Sequence, residues 1–254
     1  SRLSQVGVNG VWLHVVLSQL APSEDFPEFG KDYQTRLKNL REMTEKAKQY
    51  GVKIYLYMNE PRAMPPEFFK DREDIKVVHY TGHGNDLYTM CTSTPEVQNW
   101  ISESLTLIFK ECPELGGVFT ISASENITNC WSHFNAQTCP RCSKRTGPEV
   151  VSEINRIIAE GVWKGNPDAK VICWDWGWKD EWIEPMVSLL PDKVYYQTVS
   201  EWGLPINRGG VKFEVGEYSI SAVGPSERSK HRWALAKKAG LKTSAKMQIN
   251  TTWE

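Results

Sequence analysis

Short apolar runs rich in β-branched and aromatic residues alternate along this chain with longer segments of helical periodicity, and that alternation constrains the fold more than any other feature. Residues 8–17 (VNGVWLHVVL), 52–58 (VKIYLYM), 117–122, 170–175, 193–199 and 242–250 read as strands. Between the first two, residues 33–50 carry Leu37, Leu40, Met43 and Ala47 at helical spacing, and Gly51 closes that helix. Thr94-Pro95-Glu96 opens a second helix that runs to about 111, with Thr94 as N-cap and Pro95 at the first helical position. Helices over 148–164, 180–189 and about 226–239 follow, the last stopped by Gly240. Pro65-Pro66 starts a short helix, residues 70–90 read as irregular, and residues 211–220 read as an extended excursion.

Parallel strands require helical crossovers, so the pattern predicts an α/β fold. A doubly wound sheet displays a Gly-rich phosphate loop after its first strand, and this sequence has none. The expectation is a (β/α)8 TIM-type barrel. About six strands fall short of eight, so the chain reads as a barrel lacking its first strand and truncated near its last. One catalytic barrel domain spans 1–254, with a Cys-rich loop inserted at 126–146.

At 254 residues the chain can bury a sizeable core. A net charge of −1 gives no electrostatic footprint for nucleic acid or an anionic membrane surface. No apolar run approaches the roughly 20 residues of a membrane span. The compartment stays open between cytoplasm and export with the signal outside this chain. Sequons at Asn126 and Asn250 have meaning only in a secreted eukaryotic setting.

The chemistry concentrates at residues 116–126, GGVFTISASEN. A β-type run stops at small polar residues and delivers one carboxylate, Glu125. In a barrel, a charged group just past the C-terminal end of a strand stands on the face where active sites are built. Burial there raises a carboxyl pKa and suits it to general acid work.

The run from Thr94 to Glu125 resembles the fourth βα unit of the family 20 glycoside hydrolases, the β-hexosaminidases. The shared elements are a helix opened by Thr-Pro-Glu, the turn Cys112-Pro113-Glu114-Leu115-Gly116-Gly117, a strand and a terminal Glu. The resemblance implies that Glu125 is the general acid. Strand 8–17 with His14, strand 52–58 with Asn59-Glu60-Pro61-Arg62, and Ile172-Cys173-Trp174-Asp175 resemble the second, third and fifth strands of that family. Ser124 stands where the family has an Asp, so the resemblance implies the acid without the substrate-assisted step. The Cys139-Pro140-Arg141-Cys142 loop resembles that of bacterial proteins with hexosaminidase-like barrels.

Glycoside hydrolysis ordinarily needs two carboxyl groups. Beside Glu125, the candidates are Asp175, flanked by Trp174, Trp176 and Trp178, then Glu201 beside Trp202, then Glu60. Indoles stack on sugar rings, so these four Trp together with Trp131 and Trp253 are candidate platforms, with core packing as the alternative. His14, Tyr57, Asn59 and Arg62 are candidate contacts to sugar hydroxyls, and Arg62 also to a carboxylate of a uronate or sialate. The partner is thus a carbohydrate, such as a glycoside of an N-acetylhexosamine or a uronate, and the chemistry requires no cofactor. Two rivals stand beside a glycosidase: a non-catalytic sugar-binding barrel, and a metal-dependent hydrolase using His14, His133 and carboxylates at one centre. Separately, Cys130, His133, Cys139 and Cys142 have spacings that suit a structural tetrahedral Zn²⁺, with a disulfide, free thiols or a role for His133 at the active site as alternatives. Cys112 and Cys173, and Cys91 with them, read as buried small hydrophobes.

Overall fold

The computed structural model describes residues 2–81, 84, 86–124, 126–134, 136–217, 219 and 222–247. In chain order the strands are β1 (Gly10–His14), β2 (Lys53–Met58), β3 (Lys76–Tyr80), β4 (Leu87–Met90), β5 (Gly117–Ile121), β6 (Lys170–Trp174), β7 (Tyr195–Val199), β8 (Pro205–Arg208), β9 (Val211–Glu214) and β10 (Lys242–Lys246). Six of them form one parallel sheet in the order β1-β2-β5-β6-β7-β10, while β3 pairs with β4 and β8 with β9 as antiparallel hairpins outside it. The helices are α1 (Arg2–Gln5), α2 (Leu17–Leu20), α3 (Tyr33–Lys48), α4 (Pro95–Glu111), α5 (Gly147–Gly165), α6 (Ile183–Leu189) and α7 (Glu227–Lys238).

Sheet order follows chain order without reversal, and α3 to α7 pack side by side in the same sequence. That is the winding of a (β/α)8 barrel and not of a doubly wound sheet, whose strand order reverses at a switch point. The sheet is open, with β1 and β10 at its edges, yet it curls strongly. Lys246 Nζ on the last strand lies 5.2 Å from the ring centroid of Trp12 on the first.

The pleat sorts each strand into two faces. Ile54, Leu56 and Met58 of β2, Val118 of β5, Val171 and Cys173 of β6 and Tyr196 of β7 are buried with the helices. Trp12, Tyr57, Phe119, Trp174 and Val199 lie on the inner face, where Trp12 stacks on Phe119 at 4.2 Å. Helix α4 buries Val97, Trp100, Ile101, Leu105 and Ile108, an i, i+3, i+4 stripe. Its neighbour α5 approaches closely at Gly161, where a β-carbon would stand 2.8 Å from the Ser102 carbonyl oxygen.

Three local readings change. Thr94 precedes α4, but its hydroxyl donates to the Cys91 carbonyl (2.9 Å) and caps no helix amide. The segment expected to be irregular contains the β3–β4 hairpin, whose first strand is bulged between Lys76 and His79. Helix α5, expected over 148–164, carries a full capping box between Thr146 and Glu149.

Candidate functional site

Strand parity decides which strand-end residues can meet. On β7, Gln197 and Val199 face inward, and the same phase brings Glu201 to the mouth of the curled sheet. Glu201 is buried, at 2% exposure, and its Oε2 makes no hydrogen bond with any described residue. Next to it in the chain is Trp202, whose ring lies 5.6 Å from that of Trp176; Trp176 in turn lies 4.9 Å from Trp174. Lys246 reaches into the same face, 5.6 Å from the Trp174 ring. Burial pulls its ammonium below the usual lysine range, and the Glu201 carboxylate opposes that shift. The site therefore contains a carboxylate and an ammonium on a floor of indoles.

A cleft of about 300 Å³ opens beside them, lined by Ala123, Ser124, His133, Phe134, Trp176, Gly177 and Trp202. Gly177 makes this closeness possible: its φ is +78°, and a β-carbon there would stand 2.0 Å from the Ala123 carbonyl oxygen. The β5–α5 loop is fixed from below by Asn155 of α5. Its Oδ1 accepts from Thr120 Oγ1 (2.7 Å) and Cys173 Sγ (3.2 Å), and its Nδ2 donates to Ser122 Oγ (3.0 Å). Asn129 Nδ2 and Thr128 Oγ1 both donate to the Ser122 carbonyl oxygen, folding the loop back on the strand end. Glu125 belongs to this loop but lies outside the described residues, as does Trp253.

A second group gathers past β1 and β2. Arg62 Nη2 donates to His14 Nε2 (2.5 Å), and Arg62 Nε lies 3.5 Å from Glu60 Oε1. Desolvation and the Arg62 charge both hold His14 below the usual histidine range, consistent with a neutral ring that accepts. Glu60 is fully buried, accepting from the Leu17 amide (2.9 Å) and the Arg62 amide (3.0 Å). Burial outweighs these bonds and pushes its carboxyl up to about 7. Tyr57 packs beside His14 on the inner face, and Asn59 is buried with its Oδ1 making no hydrogen bond to a described residue.

Several expected site residues are placed elsewhere. Asp175 points to the helix side: Tyr196 Oη donates to its Oδ2 (2.6 Å), and the Arg232 guanidinium of α7 pairs with the same oxygen. Trp174 already occupies the inward phase, so its neighbour cannot, and Asp175 is corrected from catalytic carboxylate to structural ion pair. Trp178 is buried with the helix-side core against Tyr196, at 6.3 Å, and presents no open face. Trp131 is wedged in its loop edge-on to Trp182, at 5.8 Å, as packing. His133 is corrected too. Its ring packs edge-on to Tyr80 and lines the cleft, while the one described group able to hold a metal is Cys91, Cys130, Cys139 and Cys142. That group contains Cys91 and not His133, and the described residues contain no centre joining His14 to His133. Lys246 and Asn155 escaped the sequence reading. An inward-phase lysine at a barrel strand end was the available signal for the first; for an asparagine inside a helix there was none.

The fold and site together define an α/β barrel-type protein with an aromatic, carboxylate-bearing mouth. No protein-family model and no curated protein matches the chain. It is similar to a family 89 glycoside hydrolase from Clostridium perfringens (12% identity, 79% of this chain and 25% of that one, TM-score 0.48). It is also similar to a family 5 glycoside hydrolase from Streptomyces cattleya (13%, 78% and 44%, TM-score 0.46). A third is the glycoside hydrolase domain of PelA from Pseudomonas aeruginosa (11%, 93% and 82%, TM-score 0.44). The chain spans less than half the length of the first two. Identities this low describe backbone arrangement alone. Among the described residues no helix is long and apolar enough to cross a membrane.

Proposed function

We propose that the protein hydrolyses a glycosidic bond, with Glu125 as general acid and Glu201 as the second carboxylate. The observation that carries this reading is the buried Oε2 of Glu201, which bonds to no described residue, beside Lys246 and the Trp176–Trp202 pair. A sugar ring stacks on the indoles. The Glu201 carboxylate, with the Lys246 ammonium beside it, acts as base or nucleophile. Glu125, delivered just past β5, protonates the leaving oxygen. His14, Tyr57, Asn59 and Arg62 bind substrate hydroxyls, and Arg62 would also accept an acidic sugar such as a uronate. Ser124 in place of an aspartate favours a substrate whose acetamido group, where it has one, takes no part in the chemistry. The chemistry needs no cofactor.

The test is hydrolysis across a panel of aryl glycosides and oligosaccharides, with binding of the best substrate measured by calorimetry. Glu201→Gln and Glu125→Gln each lower turnover by roughly 10²- to 10⁴-fold while sugar affinity stays within a few-fold. Wild-type rates in Glu201→Gln overturn the assignment. Binding without turnover by the unaltered protein also overturns it and establishes a sugar-binding barrel instead.

A further inference from the structure

The loop after β5 folds around a small core of its own, separate from the barrel core. It comprises Val78, Cys91, Cys130, Ala136, Cys139, Cys142 and Val150, all buried. Four of these are cysteines, and they come from three separate places. Cys91 directly follows β4, Cys130 lies early in the loop, and Cys139 and Cys142 form a Cys-x2-Cys knuckle shortly before α5. Their sulfurs all lie within 4.8 Å of one another, with Cys91 Sγ 3.6 Å from Cys139 Sγ and 3.9 Å from Cys142 Sγ.

Those separations discriminate between occupants. A tetrahedral Zn²⁺ with Zn–S bonds of about 2.3 Å sets its sulfurs about 3.8 Å apart, in line with the observed edges. A disulfide needs about 2.05 Å, and all six cysteines are free. An iron–sulfur cluster puts an inorganic core between its cysteines and spreads their sulfurs further than a single ion does. The surroundings fit a thiolate-bound ion as well. The Cys142 amide donates to Cys139 Sγ (3.3 Å), the turn of a metal knuckle, and Ser93 Oγ lies 3.4 Å from Cys142 Sγ. Arg145 holds that serine at 2.7 Å and is itself paired with Glu153 (2.8 Å), so the serine is fixed by an ion pair next to the sulfurs. Four thiolates on one cation would form a cross-link between the three segments.

We propose that Cys91, Cys130, Cys139 and Cys142 form a structural four-cysteine zinc site. The ion ties the exit of the β3–β4 hairpin to the loop carrying Glu125, Trp131 and His133, and so fixes one wall of the mouth. It takes no part in bond cleavage. The site stands on its own geometry, and its test is independent of any glycosidase activity.

The full chain is produced in zinc-supplemented medium without chelators and analysed by mass spectrometry for metal. About one zinc per chain is expected. Cys91→Ser, Cys130→Ser, Cys139→Ser and Cys142→Ser each lose it, while His133→Ala retains it. Should a serine variant fail to fold, cobalt exchanged into the unaltered protein decides, through the charge-transfer and ligand-field bands of a tetrahedral all-thiolate site. Retention of zinc in Cys91→Ser with loss in His133→Ala overturns the proposal, as does a cobalt spectrum with a nitrogen ligand. Iron in place of zinc, disulfides among the four, or metal-free chain with all four thiols reactive overturn it equally.

Discussion

Asp175 and Glu201 occupy comparable places, one residue past β6 and two past β7, and the pleat separates their roles. Asp175 continues the phase of Val171 and Cys173 and meets the helices, where it is 3% exposed against an equally buried Arg232. Removing one partner of such a pair leaves the other charge stranded in low dielectric. Asp180 also contacts Arg232 but is largely exposed and cannot replace the lost carboxylate. Asp175→Asn therefore lowers unfolding free energy by about 3 kcal/mol in urea titration while kcat on any glycoside substrate is unchanged at low temperature. A large fall in kcat with stability intact would return Asp175 to the chemistry. Glu201, in the inward phase, has an ammonium near it and an oxygen that bonds to no described residue, which supports the proposed role as second carboxylate.

At the scale of elements, the α4–α5 contact sets the height of the β5–α5 loop. Gly161 sits against the Ser102 backbone, and the Thr106 hydroxyl donates both to the Ser102 carbonyl within α4 (2.8 Å) and to the Gly161 carbonyl across the pair (3.2 Å). A side chain at Gly161 meets backbone on a rigid helix, which does not yield as a flexible side chain would. Gly161→Val lowers stability by about 1–3 kcal/mol through overpacking, read as a shift in the urea midpoint at constant m. The same α5 carries Asn155 six residues earlier, so separating the helices also loosens the bonds to Thr120 and Ser122 that hold the strand end. The zinc cross-link proposed above acts on the other side of this loop, against β4.

For the molecule as a whole, the buried Glu60 makes stability depend on pH. Its carboxyl titrates near 7 when folded and near 4.5 when unfolded, so the folded chain holds the extra proton between these values. Stability therefore falls as pH rises through that window, levels off above about 7, and is unaffected by this group below about 4.5. The full change is about 3 kcal/mol for a shift of this size. Measured against Glu60→Gln, which cannot ionise, the unaltered protein loses this amount between pH 4.5 and 7.5. Parallel slopes for the two proteins would show that Glu60 keeps its ordinary pKa. Loss of the Leu17 or Arg62 amide bond in the variant moves the whole curve but not its slope.

Local rules were sufficient for the elements. Helical and strand periods placed all six core strands and the major helices, because each signal is carried by residues within one or two turns. The alternation of strand and helix, with no phosphate loop, then led to barrel-type winding. The site was only partly legible. Pleat phase, counted from Trp174 and Val199, could have sent Asp175 outward and Glu201 inward, since both facts lie within a few residues. Cys91 as partner of Cys130, Cys139 and Cys142 could not be read in that way. It lies 39 residues before the nearest of them, and their convergence depends on how a hairpin and a loop dock on the barrel. Lys246 likewise meets Trp12 only because the sheet curls until its edge strands face each other. Chemistry that depends on neighbours distant along the chain is decided by packing, and packing exists only once the chain has closed on itself.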